Sequence, residues 1–292
     1  MKKISLRVFI ILFTLLTVFT SFSIFNTTKR SSTINANATP YFKYENADLK
    51  LRAKFFTTYY SSSPERKSNI KLASKSIDGT FLDAGAEFSF NKIVGDRTEK
   101  NGYKNAKIIL KGQFVDGVGG GVCQVSTTLY NAVLLSGLKI TESHPHSLPV
   151  NYIAPSFDAM VSSGSADLKF VNVTSSPILI KCTATDSMLT IYIYGEKMHE
   201  QYIRQSTVTE ELPAPPLETV FVTDEEYPEL LEGEQKIVRY SKKGFLSEGS
   251  LIKVVNGKVV SIKKIRNDKY NGTKGLMVIK KNETKENENK DY

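Results

Sequence analysis

Residues 117–131 read GVGGGVCQVSTTLYN, in which three consecutive glycines are followed two positions later by a lone cysteine. Glycines let the backbone approach a ligand closely and leave amide N–H groups pointing outward. Beyond them, apolar residues recur at the three- and four-residue spacing of a helix face, namely Val122, Val125, Leu129 and Val133. Cys123 would then lie in the first turn of a helix, where the positive end of the dipole favours thiolate over thiol. The stretch therefore predicts a nucleophilic cysteine beside a ligand-binding loop.

The same stretch allows two other interpretations. Free cysteine is among the most buried residue types, so Cys123 could instead be a structural core residue. A phosphate-binding loop is disfavoured, because no Gly-Lys-Ser/Thr follows the glycines and no GxGxxG pattern occurs there. The residues by themselves leave the structural and the nucleophilic interpretation of Cys123 open.

The first thirty residues indicate export. Basic residues at positions 2, 3 and 7 precede an apolar run over residues 8–25, and Lys29 and Arg30 follow it. This pattern is typical of a signal peptide or an N-terminal membrane anchor, which we predict at residues 1–30. We expect either a single N-terminal pass in the cell membrane with an extracellular domain, or secretion after cleavage. A polar stalk is predicted at residues 31–48.

The charge and the histidine and cysteine content restrict the partners. The formal net charge is +9, but five of the 39 Lys and Arg residues lie in the leader, which leaves 34 against 30 Asp and Glu. This mild excess suits anionic cell-wall polymers, and the absence of a basic block outside the leader argues against nucleic acid. Three histidines and two cysteines show no metal-ligand spacing, so we expect no metal and no cofactor. A Cys123–Cys182 disulfide is disfavoured, because Cys182 lies in an apolar strand-like run and the bond would consume the nucleophile.

Hydrophobic periodicity predicts a first domain over residues 49–195. Short strand-like runs alternate there with turns, and residues 66–76 could form a short helix. The helix that carries Cys123 is the only long helical signal. The predicted fold class is therefore α+β, a strand-rich domain with one central helix carrying the cysteine, followed by a small all-β module.

That module is separated from the first domain by a polar stretch. Residues 196–217 end in LPAPP and are predicted to form a semi-rigid linker. Residues 218–280 form the predicted β module, in which Asn256-Gly257 between two valine pairs is a strong hairpin signal. Residues 281–292 are charged and rich in asparagine, which predicts a disordered tail.

A cysteine nucleophile in acyl transfer needs a histidine to carry protons and a further group to orient that histidine. His144 and His146 lie about twenty residues beyond the cysteine. Because alternate residues of an extended segment face the same way, both are predicted to line one site. Asp158 and Asp167 are the nearest downstream acids for the orienting role, and either could instead cap a turn. Backbone N–H groups at residues 121–123 are candidate donors to an oxyanion.

Several short motifs together resemble the VanW domain, over roughly residues 50–195. The most specific is GGGVCQVSTTLYNA, and the others are Arg66…Asn69, Phe88–Asn91, Gly95–Thr98, Asn101–Tyr103, Pro145–Ser147, Phe157–Ala159 and Asp167–Phe170. The family takes its name from an accessory gene of glycopeptide-resistance clusters, and some members look like noncanonical L,D-transpeptidases that cross-link peptidoglycan stem peptides through a cysteine. Residues 218–280 resemble the glycine-bearing G-five module, which is thought to bind cell-wall glycans.

Carried over by position, the resemblance implies Cys123 as the nucleophile, His146 as the general base and Asp158 as the residue that orients it. The candidate contacts to the substrate or the oxyanion are Gly120, Gly121, Val122, Gln124, Ser126, Thr127, His144 and Ser147. The leading hypothesis is an exported L,D-transpeptidase, in which His146 takes the thiol proton. The alternatives are a non-catalytic protein that binds the cell wall or a glycopeptide, and a structural spacer that presents the C-terminal module.

Overall fold

The computed structural model describes residues 48–110 and 112–281. The predicted leader at residues 1–30, the stalk up to residue 47 and the tail from residue 282 lie outside the described residues. Within the ranges described, no helix has both the length and the apolar character needed to cross a membrane.

The described residues form fifteen strands and three α-helices. The helices are α1 (Pro64–Ile77), α2 (Phe90–Val94) and α3 (Val122–Leu135), with a 3-10 helix at Glu99–Asn101. The strands up to residue 195 are β1 (Lys50–Thr58), β2 (Phe81–Leu82), β3 (Glu87–Ser89), β4 (Asn105–Leu110), β5 (Gln113–Val118), β6 (Lys139–Glu142), β7 (Lys169–Val171), β8 (Ile178–Ala184) and β9 (Met188–Gly195). The later strands are β10 (Glu200–Leu212), β11 (Glu218–Val222), β12 (Gln235–Arg239), β13 (Gly244–Val255), β14 (Lys258–Tyr270) and β15 (Leu276–Lys280).

The prediction of an α+β fold with one central helix is wrong. The described residues form several sheets with only three α-helices, and one of these, α1, is as long as α3. Both α1 and α3 contain 14 residues. Ser63 caps α1 by accepting a hydrogen bond from the N–H of Arg66, and Pro64 occupies the first turn. The helix has only three buried hydrophobic residues, so its apolar pattern is weak. Packing against the rest of the domain stabilises such a helix more than its own sequence does.

Helix α3 lies in the main hydrophobic core, and twelve of its 14 residues are buried. It packs against β1 and β9 of a four-stranded sheet with the order β1-β9-β8-β2, and against α1. A helix buried on its polar face must pair its hydroxyl groups internally. The hydroxyls of Thr128 and Thr57 do so at 2.9 Å. The helix is therefore a fixed support for the residues at its N-terminal end.

The segment predicted as a linker, residues 196–217, is mostly a strand. β10 pairs antiparallel with β13, from Glu200 opposite Val255 to Leu212 opposite Gly244. Over its first eight residues, half-buried and exposed positions alternate, which is the period of a strand with one solvated face. The polar outward-facing residues explain why composition alone indicated a linker.

Residues 218–280 are all-β, as predicted. β13 and β14 join β10 in one three-stranded sheet, and β11, β15 and β12 form a second one in that order. Asn256 and Gly257 have φ values of 50° and 74° and connect β13 to β14. Positive φ at both central positions is what a type I′ hairpin turn requires, so the predicted hairpin is confirmed.

Candidate active site

An open cleft of about 1400 Å³ lies at the N-terminal end of α3. Its lining includes Cys123, His146, Ser147 and the glycine loop at residues 119–121. The structure thus brings the predicted nucleophile, one of the two predicted histidines and the loop to one surface.

The conformation of the glycine loop explains its sequence. Gly121 has a φ of 111° and is the N-cap of α3, a conformation that residues with a side chain rarely adopt. A Cβ at Gly120 would lie 2.7 Å from the carbonyl O of Lys107, so the loop packs directly on the backbone of β4. The buried amide of Asn69 in α1 donates to the carbonyl O of Gly120 at 3.0 Å. These contacts fix the first turn of α3, on which Cys123 lies.

Cys123, His146 and Asp158 form a connected row. Oδ2 of Asp158 accepts hydrogen bonds from the backbone N–H of His146 at 2.6 Å and from its Nδ1 at 2.7 Å. The second ring nitrogen of His146 therefore remains available to Cys123, the thiol of which donates to the carbonyl O of Val161 at 3.4 Å. The side chains of His146 and Asp158 are 5% and 1% exposed, whereas Cys123 is partly buried at the cleft. The donor and acceptor order is that of a nucleophile, a proton carrier and an orienting acid.

The electrostatics of the row favour charge separation. Burial raises the pKa of Cys123, but the hydrogen bond and the charge of His146 outweigh it and lower that pKa below its usual value. Burial lowers the pKa of His146, but the hydrogen bonds with Asp158 and Cys123 raise it to about 9. Burial also raises the pKa of Asp158, and the hydrogen bond and charge of His146 reverse this. Both effects shift the pair toward a thiolate and an imidazolium.

The structure separates the two candidate acids. Asp167 accepts hydrogen bonds from the hydroxyl of Ser89 at 2.6 Å and from the backbone N–H of Asn91 at 2.9 Å. These contacts secure the start of α2, which is the capping role considered for it. Asp158 is the acid that contacts His146.

The two histidines do not share one site, contrary to the prediction from their alternate spacing. Nε2 of His144 lies 3.0 Å from Oε1 of Glu142, and the backbone carbonyl of His144 accepts from the N–H of Met160 at 2.8 Å. Only His146 lines the cleft. The alternation rule applies to a regular strand, and this segment lies outside β6, which ends at Glu142.

Two of the predicted substrate contacts are internal. The hydroxyl of Ser126 donates to the carbonyl O of Ala159 at 2.6 Å, and the hydroxyl of Thr127 accepts from the N–H of Ala159 at 2.9 Å. Both side chains are fully buried. Their contacts attach α3 to the residue that follows Asp158, so they support the row of side chains and leave no surface for a substrate.

Only some of the predicted oxyanion donors are available. The N–H of Val122 donates to the carbonyl O of Gly119 at 3.1 Å, which removes it as a donor. In the part of the chain that the structure describes, the N–H groups of Gly121 and Cys123 have no hydrogen-bond partner. These two groups stand at the positive end of α3, where an anion is favoured.

Sequence reasoning missed a group of cleft residues that includes Arg66, Arg97 and Tyr152. Gln124, itself predicted as a substrate contact, is 1% exposed and its Oε1 accepts from Nη2 of Arg66 at 2.8 Å. It positions the arginine more than it faces the cleft. The charge of Arg97 also lowers the pKa of Cys123. Arg66 and Arg97 stand within the motifs that resemble the VanW domain, and this was the only sequence signal for them.

The two cysteines are free thiols. Cys182 lies in β8, and burial raises the pKa of its thiol far above the usual range. Among the residues described, no group of three His, Cys, Asp or Glu side chains is placed to hold a metal ion.

Comparison with known proteins identifies the family of the region that holds this site. Residues 65–194 match the family described as VanW like protein. The chain therefore carries a VanW-like domain, and the resemblance drawn from the sequence is confirmed. All three members of the row, Cys123, His146 and Asp158, lie within the matched region.

Two curated relatives share this part of the chain. The uncharacterized protein YoaR of Bacillus subtilis (strain 168) is 42% identical over 151 residues, which are 51% of this chain and 50% of the relative. The vancomycin B-type resistance protein VanW of Enterococcus faecalis (strain ATCC 700802 / V583) is 28% identical over 153 residues, 47% of this chain and 56% of the relative. The chain spans about half the length of the curated relatives it matches.

Two solved structures are similar to a smaller part of the chain. The crystal structure of HP0197-G5 is 16% identical with a TM-score of 0.15, and covers 28% of this chain and 97% of its own. The IgA1 protease G5 domain is 17% identical with a TM-score of 0.17, and covers 30% of this chain and 100% of its own. TM-scores of this size do not establish a shared fold, so the G-five resemblance stays a prediction.

Proposed function

We propose that the VanW-like domain is a cysteine acyltransferase that cross-links peptidoglycan stem peptides as an L,D-transpeptidase. The observation that carries the proposal is the row Cys123–His146–Asp158 at the end of an open cleft, with the cysteine pKa lowered and the histidine pKa raised. A structural cysteine gains nothing from an adjacent imidazolium, whereas a thiolate nucleophile depends on one.

The first half of the reaction is acyl transfer to the enzyme. The thiolate of Cys123 attacks the carbonyl of the third stem residue, and a C–S bond forms. As the tetrahedral intermediate collapses, the C–N bond to the terminal D-amino acid breaks, and the imidazolium of His146 donates its proton to the leaving amine. In this proposal His146 holds a proton before the attack, because its pKa is raised to about 9. It would then act first as an acid rather than as the base that deprotonates the thiol.

The second half returns the enzyme to its initial state. An amine of a neighbouring stem attacks the thioester, and neutral His146 takes the proton that the amine loses. The C–S bond breaks, a new amide forms between the two stems, and the thiolate of Cys123 is restored. Water in place of the amine would give a carboxypeptidase. The N–H groups of Gly121 and Cys123 are placed to stabilise the oxyanion in both halves.

The positive charge of the cleft matches such a substrate. A stem peptide that ends in a D-amino acid carries a terminal carboxylate next to the bond that breaks. Arg66 and Arg97 both line the cleft with Cys123, and arginine is suited to carboxylates because its planar guanidinium donates two parallel hydrogen bonds. The buried amide of Gln124 holds Arg66 in place at 2.8 Å.

The comparisons support the cellular setting of the proposal. One relative is named for resistance to vancomycin, which agrees with a role at the cell wall for this chain too. Export through the leader at residues 1–30 would bring the domain to peptidoglycan outside the cell membrane. Binding of wall glycans by residues 218–280 is the matching proposal for the C-terminal module.

The test is intact-protein mass spectrometry of the chain incubated with purified disaccharide-tetrapeptide. We expect a covalent adduct on Cys123 with release of the terminal residue, and a cross-linked dimer among the products. Cys123→Ala should abolish both, whereas Cys182→Ser should abolish neither because Cys182 lies in β8, in the four-stranded sheet. Binding of the tetrapeptide with neither an adduct nor loss of the terminal residue would replace the enzyme by a non-catalytic wall-binding protein.

A further inference from the structure

Both oxygens of the Asp158 carboxylate accept hydrogen bonds, and those to Oδ1 come from a distant part of the chain. Its Oδ2 accepts from His146, and its Oδ1 accepts from the hydroxyl of Tyr270 at 2.5 Å and from Nη2 of Arg266 at 2.9 Å. Tyr270 and Arg266 belong to β14 and follow Asp158 by 112 and 108 residues. They lie outside residues 65–194, the part that matches the VanW family.

Arg266 is fixed at both ends of its guanidinium. Its Nε donates to Oδ2 of Asp268 at 2.6 Å, while its Nη2 donates to Asp158. The guanidinium also lies over the ring of Tyr130 in α3, 5.6 Å from the centroid. The side chain is 12% exposed. A buried arginine held in this way is a rigid donor to Asp158, with little freedom to turn elsewhere.

The end of β14 also secures the segments that carry Asp158 and His146. The backbone N–H of Ser156, two residues before Asp158, donates to the hydroxyl of Tyr270 at 2.8 Å. The backbone N–H of Asn271 donates to the carbonyl O of Ser147, next to His146, at 2.8 Å. One strand end therefore contacts both segments of the row.

We propose that Arg266 and Tyr270 are positioning residues of the candidate active site, and that the sheet β10–β13–β14 is an integral part of that site in addition to any role of residues 218–280 in wall binding. Their contacts to Oδ1 keep Asp158 ionised and leave Oδ2 directed at His146, which in turn keeps Cys123 as the thiolate. The inference rests on the proposed role of Cys123, but its test measures thiolate reactivity and not cross-linking.

The experiment follows alkylation of Cys123 by iodoacetamide between pH 5 and pH 9, on the full chain with Cys182→Ser, using intact mass. The alkylation rate reports the thiolate fraction, so its inflection gives the pH at which Cys123 ionises. The ionisable groups that face the row are few. Cys123 faces His146, Arg97 and Tyr152. Asp158 faces His146, Arg266 and the hydroxyl groups of Tyr130, Tyr152 and Tyr270.

We expect Arg266→Met and Tyr270→Phe each to move the inflection upward by about one pH unit, which slows alkylation about tenfold on the rising part of the profile. Arg266→Lys keeps the charge and should recover part of the change. Thermal unfolding of each variant measures its folded fraction, and Tyr270→Phe, which removes one oxygen atom, is the variant best suited to remain folded.

Two matched controls remove contacts between the same sheet and the same region without touching Asp158. Ser247→Ala removes the 2.7 Å contact between the hydroxyls of Ser247 and Ser156. Arg204→Met removes a second arginine of this sheet, which bonds to Asn131 and lies over the ring of Phe157. Both should leave the inflection unchanged.

The outcomes separate the two proposals. An unchanged inflection in folded Tyr270→Phe and Arg266→Met, or equal changes in the controls, would overturn the positioning role. Suppose that Cys123 of the unsubstituted chain ionises at low pH, that this inflection moves upward in the two variants, and that no cross-link forms. The positioning role then stands and the transpeptidase proposal fails. If the chain cross-links and the two variants keep its inflection, only the positioning role fails.

Discussion

Replacing Asp158 by asparagine tests the central electrostatic argument. The carboxylate accepts four hydrogen bonds, two of them from His146, and is 1% exposed. The pKa of His146 is raised to about 9 from 6.5, although burial alone would lower it. That rise of roughly 2.5 pH units corresponds to about 3 kcal/mol, and the contributions that cause it come from Asp158 and Cys123. Among the contributions that raise this pKa, the hydrogen bond with Asp158 is the largest, so removing the carboxylate should lower the pKa of His146.

The direction of the effect on Cys123 follows from the ion pair. The imidazolium stabilises the thiolate, so the thiolate is present above the lowered pKa of Cys123 and is lost as the pH falls through it. Asparagine carries no charge to stabilise the imidazolium, and the pKa of His146 should fall. The thiolate then lacks the neighbouring imidazolium that stabilises it. The inflection in the pH profile of Cys123 should move to higher pH by about one unit or more, and acylation on the rising part of the profile should be about tenfold slower.

The assay is the pH profile of iodoacetamide alkylation of Cys123 in a Cys182→Ser background, with acylation by the tetrapeptide measured in parallel. Asp167→Asn is the matched control, because Asp167 is a buried carboxylate of the same domain that bonds to Ser89 and Asn91 and not to His146. An Asp158→Asn profile that coincides with that of the unsubstituted chain, or an equal change in Asp167→Asn, would refute the reasoning.

Three further changes test other parts of the structure. His146→Ala removes the main influence that lowers the pKa of Cys123, so burial should raise that pKa and alkylation at pH 7 should slow about tenfold or more. An unchanged rate would show that the helix alone activates the cysteine. Leu129→Ala opens a cavity where α3 packs in the main core, and it should lower the free energy of unfolding in urea by about 2–5 kcal/mol. The control Leu110→Ala, at an exposed site, should change that free energy by less than about 0.5 kcal/mol. Similar losses for both variants would contradict the described core. Gln124→Leu removes the acceptor that holds Arg66 and should raise KM for the tetrapeptide more than it lowers kcat, and a fall in kcat alone would argue against carboxylate binding by Arg66.

Local sequence signals predicted the parts of the fold that local physics controls. The spacing of Val122, Val125 and Leu129 located α3, and Asn256-Gly257 located the hairpin between β13 and β14. Helix α1 was predicted only as a possible short helix, because few of its residues are apolar and its burial comes from the domain around it. β10 was assigned to a linker for a similar reason, since a strand with one solvated face contains many polar residues.

The candidate site divides in the same way. The sequence by itself determined that a cysteine follows a glycine loop at a helix start, because the glycine run and the apolar spacing of α3 are local patterns. Spacing along the chain could not decide between Asp158 and Asp167, nor separate His146 from His144, and only the VanW resemblance pointed to Asp158 and His146. The contact itself is a matter of tertiary structure, since the hydrogen bonds of a buried carboxylate are made with whatever the fold brings within about 3 Å. The contacts of Arg266 and Tyr270 with Asp158 span more than 100 residues, and no local pattern of composition or periodicity reports a contact over that distance.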